Sequence, residues 1–235
     1  MNLNQSIIVH GFGEVFSGGP WNPLSLGPKL RAWFDPNANV YASPETPCAV
    51  DEKWHRWASV NDSGAFFHQA DSGKQLLLRE DGSGRRSLEG VESTADCSID
   101  LAPAHPYGIA MQLQVDGGRS LSGVANNWLC GGYTTDKHAF FNGEFVANVD
   151  APSGWFVGMA QCDGVDSSLR QNGVDVTSNV TASPVLPGGI TIGDGVWNRG
   201  ENFTGKVGHI VVLKAELTAA ERAILEAFLT NELPS

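Results

Sequence analysis

Positive charge is scarce in this chain. Lys and Arg total 15 against 26 Asp and Glu, a formal net charge of −11 at pH 7. The one basic cluster is Arg85-Arg86. Neutralising phosphates needs a positive surface, so this balance argues against a nucleic-acid partner. Long apolar runs are missing too: no stretch approaches the ~20 residues that cross a bilayer, which argues against membrane insertion. The opening Met1–Phe16 has neither the basic start nor the long apolar stretch of a secretory signal, which points to synthesis in the cytoplasm. Cysteine is sparse. Cys48, Cys97, Cys130 and Cys162 show no metal-finger spacing. Their even number permits two disulfides, while a cytoplasmic origin favours buried thiols.

Catalytic patterns are equally thin. There is no Gly-x-Ser-x-Gly elbow. The histidines (His10, His55, His68, His105, His138, His209) are scattered, with no His-x-His or His-x-x-x-His pair to hold a transition metal. His209 lies in a Val-rich stretch and reads as a hydrogen-bonded core or edge residue. No catalytic residue is assigned, and no enzyme activity is expected.

What the chain does have is turn formers, with 28 Gly and 12 Pro, and only 17% charged residues, a composition of short strands. Ile109 to Val115 alternates cleanly. Ile109, Met111, Leu113 and Val115 share one face, and Ala110, Gln112 and Gln114 the other, as in a half-buried strand. Asn142-Gly143 and Asn172-Gly173 sit between apolar runs as hairpin turns. Trp155 to Cys162 is a strand stopped by Asp163-Gly164. Val207 to Leu213 is apolar on both faces, as in a buried strand. Thr218-Ala-Ala-Glu221 has capping-box form. Ala220, Ile224, Ala227 and Phe228 follow at helical spacing, with Leu225 and Leu229 widening the stripe. The expected fold is an all-β, two-sheet antiparallel jelly-roll sandwich with one short C-terminal helix, in which Ile224 and Phe228 pack on the sheet.

Two segments are predicted. Residues 1–28 differ from the rest. Their apolar residues Ile7, Ile8, Val9, Phe12, Phe16 and Trp21 are too many for a solvated tail and too few for a core, which suggests an anchoring arm. Residues 29–235 form the sandwich domain.

Several motifs fall in a recognisable order. Trp155, Asp163-Gly164, Asn172-Gly173, Ile192-Gly193, Phe203-Thr-Gly-Lys-Val207 and Leu217-Thr-Ala-Ala-Glu221 resemble the C-terminal third of concanavalin A-like jelly rolls of the laminin G / pentraxin type. Leu30-Arg-Ala-Trp-Phe-Asp35 and Trp57-Ala-Ser-Val-Asn-Asp-Ser-Gly64 resemble the opening of bacterial and phage members. Ile7-Ile-Val-His-Gly-Phe-Gly13 is similar to segments near the start of small tailed-phage structural proteins. Hydrolases on this sandwich usually carry Glu-x-Asp-x-(x)-Glu on one strand, and that motif is absent.

The resemblance implies a non-enzymatic virion protein, made in the host cytoplasm. It would be displayed on the particle as a capsid decoration through its arm, contact other capsid or tail proteins, and assemble as a homo-oligomer. The alternative is a carbohydrate-binding receptor module of a tail fibre or cell surface, taking host glycans, and a polysaccharide-cleaving enzyme is the third reading. Sugar binding calls for rings flanked by planar polar groups. Two loops qualify: Asp194 to Arg199, with Trp197 and Asn198, and Asn126-Asn-Trp128 with Tyr133. Trp128 and Trp197 read equally as caps on the core edge. Calcium suits Asp194, Asn198 and Asn202, or Asp116 and Asn126-Asn127, but these residues also make turns. No cofactor or metal ligand is assigned.

Overall fold

The computed structural model describes residues 20–61, 63–97, 104–179, 184–194 and 200–234. Among them, the strands are β1 (Leu30–Phe34), β2 (Val40–Tyr41), β3 (Arg56–Ala58), β4 (Phe66–His68), β5 (Leu77–Glu80), β6 (Arg86–Ser93), β7 (Ala95–Cys97), β8 (Tyr107–Gly117) and β9 (Leu121–Gly123). They continue with β10 (Trp128–Tyr133), β11 (Lys137–Asn142), β12 (Phe145–Asp150), β13 (Phe156–Cys162), β14 (Ser167–Gln171), β15 (Val174–Asp175), β16 (Ile190–Ile192) and β17 (Phe203–Leu213). A 3-10 turn, Pro23–Lys29, precedes β1, and one helix, α1 (Ala219–Asn231), follows β17.

The strands make two antiparallel sheets. One has eight strands in the order β15-β14-β13-β8-β17-β6-β5, with β1 also paired to β17. The other has nine, in the order β12-β11-β10-β9-β16-β7-β4-β3-β2. The Asn172-Gly173 turn joins β14 to β15 with φ of 49° and 78°. A two-residue hairpin needs such positive values for its twist to match the strands. Rings and aliphatic chains from both sheets meet between them. Phe34, Trp57, Phe67, Trp128, Phe140 and Phe156 are all wholly buried there.

Alternation along β8 matches the sequence, since Ile109, Met111, Leu113 and Val115 face this inner core. The strand is not half-buried, however. Its second face lies under α1, where Ala110 and Gln112 are fully enclosed. β17 is buried from Val207 to Leu213, as its composition predicts. Thr218 caps α1: its hydroxyl accepts from Glu221 N–H at 3.3 Å, and Glu221 Oε2 accepts from Thr218 N–H at 2.7 Å. The buried line of the helix is rotated from the expected stripe. Leu225, Glu226 and Leu229 are buried, Ile224 and Phe228 are half-buried, and Ala220 and Ala227 are exposed. Each fully buried leucine contributes about 2 kcal/mol. Glu226 tolerates burial because Arg170 Nε pairs with it at 2.8 Å.

A polar clip fastens helix to sheet. Gln112 Nε2 donates to Leu229 O at 2.6 Å, and its Oε1 accepts from His209 N–H at 3.0 Å. Gly208 makes room for it, because a Cβ there would run into the Gln112 amide. His209 Nδ1 accepts from Trp33 Nε1 at 3.1 Å, which makes it the hydrogen-bonded core histidine that its Val-rich setting predicts. Burial holds its pKa below the ordinary value, against the pull of Asp35 and Glu232.

Trp21 belongs to this same cluster, 5.6 Å from the Phe228 ring, and Pro23 and Leu26 are buried beside it. The last part of the expected arm therefore packs on the domain. Ile7, Ile8, Val9, Phe12 and Phe16 lie outside the described residues. Cys48, Cys130 and Cys162 are free, buried thiols, and burial pushes Cys48 up to about 11.

Candidate binding surface

The two sheets differ in what covers their outer faces. On the nine-stranded sheet, one register row crosses every strand: Tyr41, Arg56, His68, Asp96, Thr191, Ser122, Leu129, Phe141 and Phe145. At strand spacing the row spans about 40 Å. Its neighbours along the strands (Val40, Trp57, Phe67, Leu121, Phe140) fill the inner core, so alternation turns Tyr41, Arg56, His68, Thr191, Ser122, Leu129, Phe141 and Phe145 outward. The middle, Thr191 to Leu129, is buried, while the two ends are half-buried.

One end is an aromatic group. Phe141 and Phe145 lie 5.1 Å apart, and Phe145 lies 5.7 Å from Tyr133. The Arg119 guanidinium stands 5.9 Å from the Tyr133 ring centre. Glu201 holds Arg119 Nε at 2.6 Å, and Asn127 Oδ1 accepts from its Nη1 at 3.1 Å. Lys137, paired with Tyr133 in register, forms an ion pair with Asp150 at the rim. Hydrogen bonding to that ammonium lowers the Asp150 carboxyl below its usual range.

The other end holds a cation between rings. Arg56 stacks 4.5 Å from the Phe66 centroid and 5.7 Å from that of Tyr41. His68 is its cross-strand partner, and His55 meets His68 edge-on at 5.6 Å.

Of the described residues expected to bind a ligand (Trp128, Tyr133 and Asp194), Tyr133 alone lies on this surface. Trp128 is wholly buried and points inward, with its Nε1 donating to Tyr107 Oη at 2.9 Å. β10 register sets this: Trp128 and Cys130 share the inner face, and Leu129 the outer. Asp194 is also fully buried. Trp197, Asn198 and Arg199 lie outside the described residues, in the segment that leads towards Glu201. Of the calcium-compatible pair, Asn126 instead donates to Leu186 O at 2.8 Å, and Asn127 serves Arg119. Among the described residues, no three His, Cys, Asp or Glu side chains converge on a metal position.

The sequence reading missed Phe141, Phe145, Arg119 and Arg56. Arg56 alternates with Trp57, a signal that places it on the polar face. Its stacking partners come from other strands, which no local pattern reveals.

No protein-family model matches this sequence, and no curated protein matches it either. Solved structures do resemble the fold. Domain 4 of an extracellular arabinanase from Geobacillus stearothermophilus, held with arabinotriose, is 10% identical with a TM-score of 0.55, over 84% of this chain and 97% of that one. Trypanosoma rangeli sialidase, in complex with 2,3-difluorosialic acid, is 11% identical with a TM-score of 0.56, over 87% of this chain but 33% of that one. The botulinum neurotoxin serotype D binding domain is 9% identical with a TM-score of 0.58, over 88% of this chain and 53% of that one. The chain thus spans about a third of the sialidase and about half of the toxin fragment. At these identities the likeness establishes the β-sandwich fold.

Proposed function

We propose that the protein is a carbohydrate-binding β-sandwich module that holds a saccharide on the outer face of its nine-stranded sheet without cleaving it. The observation that carries this reading is the Tyr133–Phe145–Phe141 ring group flanked by Arg119, Asn127 and Glu201. Sugar C–H faces stack on rings, while planar polar groups bond the hydroxyls. The arabinanase domain, matched over nearly its whole length, was solved with arabinotriose, which supports the same use of the fold. Non-cleavage rests on the missing Glu-x-Asp-x-(x)-Glu pattern. A glycan array tests the reading. Retention of a saccharide by the wild-type protein, weakened at least tenfold in Tyr133→Ala with an unchanged melting curve, is expected. A wild-type protein that retains no glycan overturns it.

A second reading places this module on a virion, anchored to capsid or tail proteins through the part of residues 1–28 that precedes Trp21, and assembled as a homo-oligomer. One observation favours it: Trp21 packs on Phe228, so the chain enters on the helix side, away from the proposed binding face. Anchoring and adhesion would then use opposite sides. Electron microscopy of purified particles that carry no copy of the protein would sink this reading.

A further inference from the structure

The arginines of this acidic chain are mostly spoken for. Arg79, Arg86, Arg119 and Arg170 each pair with carboxylates. Arg85 donates to the carbonyls of Leu233 and Asn231, and Arg222 to Gln161 Oε1. Arg56 differs. Among the described residues it has no ion pair and no side-chain hydrogen bond, and its Nε is buried with no partner. It is nonetheless held in place, stacked on Phe66 and Tyr41. A buried, unmet donor in a native fold calls for an explanation. Holding a planar fork of donors between rings removes its rotamer freedom in advance, so little is lost when a carboxylate arrives.

We infer that Arg56, between Tyr41 and Phe66, is the docking point for the carboxylate of an acidic sugar bound along the outer face of the nine-stranded sheet. The inference rests on the proposed carbohydrate binding and adds the ligand's charge. A guanidinium meets a carboxylate through two parallel hydrogen bonds, here from the two terminal Nη groups, since Nε is enclosed. The flanking rings offer apolar faces to the sugar ring that bears it. His55 and His68 beside Arg56 add donors, and no ion pair links a carboxylate to either among the described residues.

Titration calorimetry tests this with uronate oligosaccharides and sialylated oligosaccharides, each beside its carboxyl-methyl ester. At least one acid is expected to bind about tenfold more tightly than its ester, and this ratio should shrink as salt is raised. The two families show whether the carboxylate belongs to a hexuronic or a nonulosonic sugar. Arg56→Gln should bring the ratio to about one while ester binding stays as in the wild type and the melting curve shifts only slightly. Arg56→Lys should restore only part of the ratio, since a point charge lacks the fork. Equal affinity for acid and ester in the wild type, or a preference that survives Arg56→Gln, overturns the inference and leaves carbohydrate binding standing. No binding of any saccharide overturns both. Poly-glutamate that competes as well as the sugar acid overturns the saccharide assignment.

Discussion

The outer faces of the two sheets are built to opposite ends. The eight-stranded sheet is closed by α1, and the charged and polar groups of the seam are largely matched: Gln112 to His209 and Leu229, His209 to Trp33, Arg170 to Glu226, with the Nε2 of Gln161 left over. The nine-stranded sheet keeps half-buried rings at both ends of one row and an arginine with no carboxylate partner among the described residues. Satisfying polar groups internally makes a surface rigid and inert, whereas leaving a stacked cation unmatched makes it a receptor. Changes on the helix side should therefore cost stability and spare binding, and changes on the other side the reverse.

The sharpest break of this contrast is Gly208→Val. It overpacks the seam and dislodges Gln112, so about 4 kcal/mol of stability should be lost in urea unfolding. Any protein still folded should bind saccharide normally.

Acid comes next. Burial holds the His138 imidazole down to about 4 from the ordinary 6.5, despite its hydrogen bond with Gln171. Between those values the unfolded chain takes up a proton that the folded one refuses. Stability present above about pH 6.5 should fall by roughly 3 kcal/mol as pH drops towards 4, then level off. Urea midpoints measured against pH check this, and a flat profile would contradict the buried, neutral state. His138 lies between the sheets, against Phe156, so it serves as a control for both outer faces.

Thr218→Ala removes the cap and should cost about 1 kcal/mol, again without touching binding. The smallest effect on stability belongs to Arg56→Gln, about 0.5 kcal/mol by thermal melting, from the lost stacking on Phe66 and Tyr41.

Much of the frame was legible in the residues. The alternation of Ile109 to Val115, the all-apolar Val207 to Leu213, the Asn-Gly turn at 172 and the Thr218–Glu221 box all report local periods, and local periods survive folding. What failed needed knowledge of partners. Gln112 and Gln114 look like a solvated face, yet α1 covers Gln112, because a single glutamine can satisfy two backbone groups across a seam. Ala220 and Ala227 share a stripe with Phe228, but the larger Leu225 and Leu229 rotate the helix to bury themselves. Trp128 follows two asparagines and looks like a sugar platform, yet strand register turns it into the core. Arg56 gains its meaning from Tyr41 and Phe66, and only strand pairing brings them together.

The position of β17 carries a consequence in time. This strand pairs with β1, β6 and β8, all made at least 86 residues before it begins at Phe203. On a ribosome, the eight-stranded sheet has no centre until residue 213 has emerged. The earlier strands must wait with their edges unpaired, and their pairing with β17 is dominated by loops that are slow to close. A nascent chain halted just before Phe203 is thus expected to stay open to protease, and one extended past the helix to close.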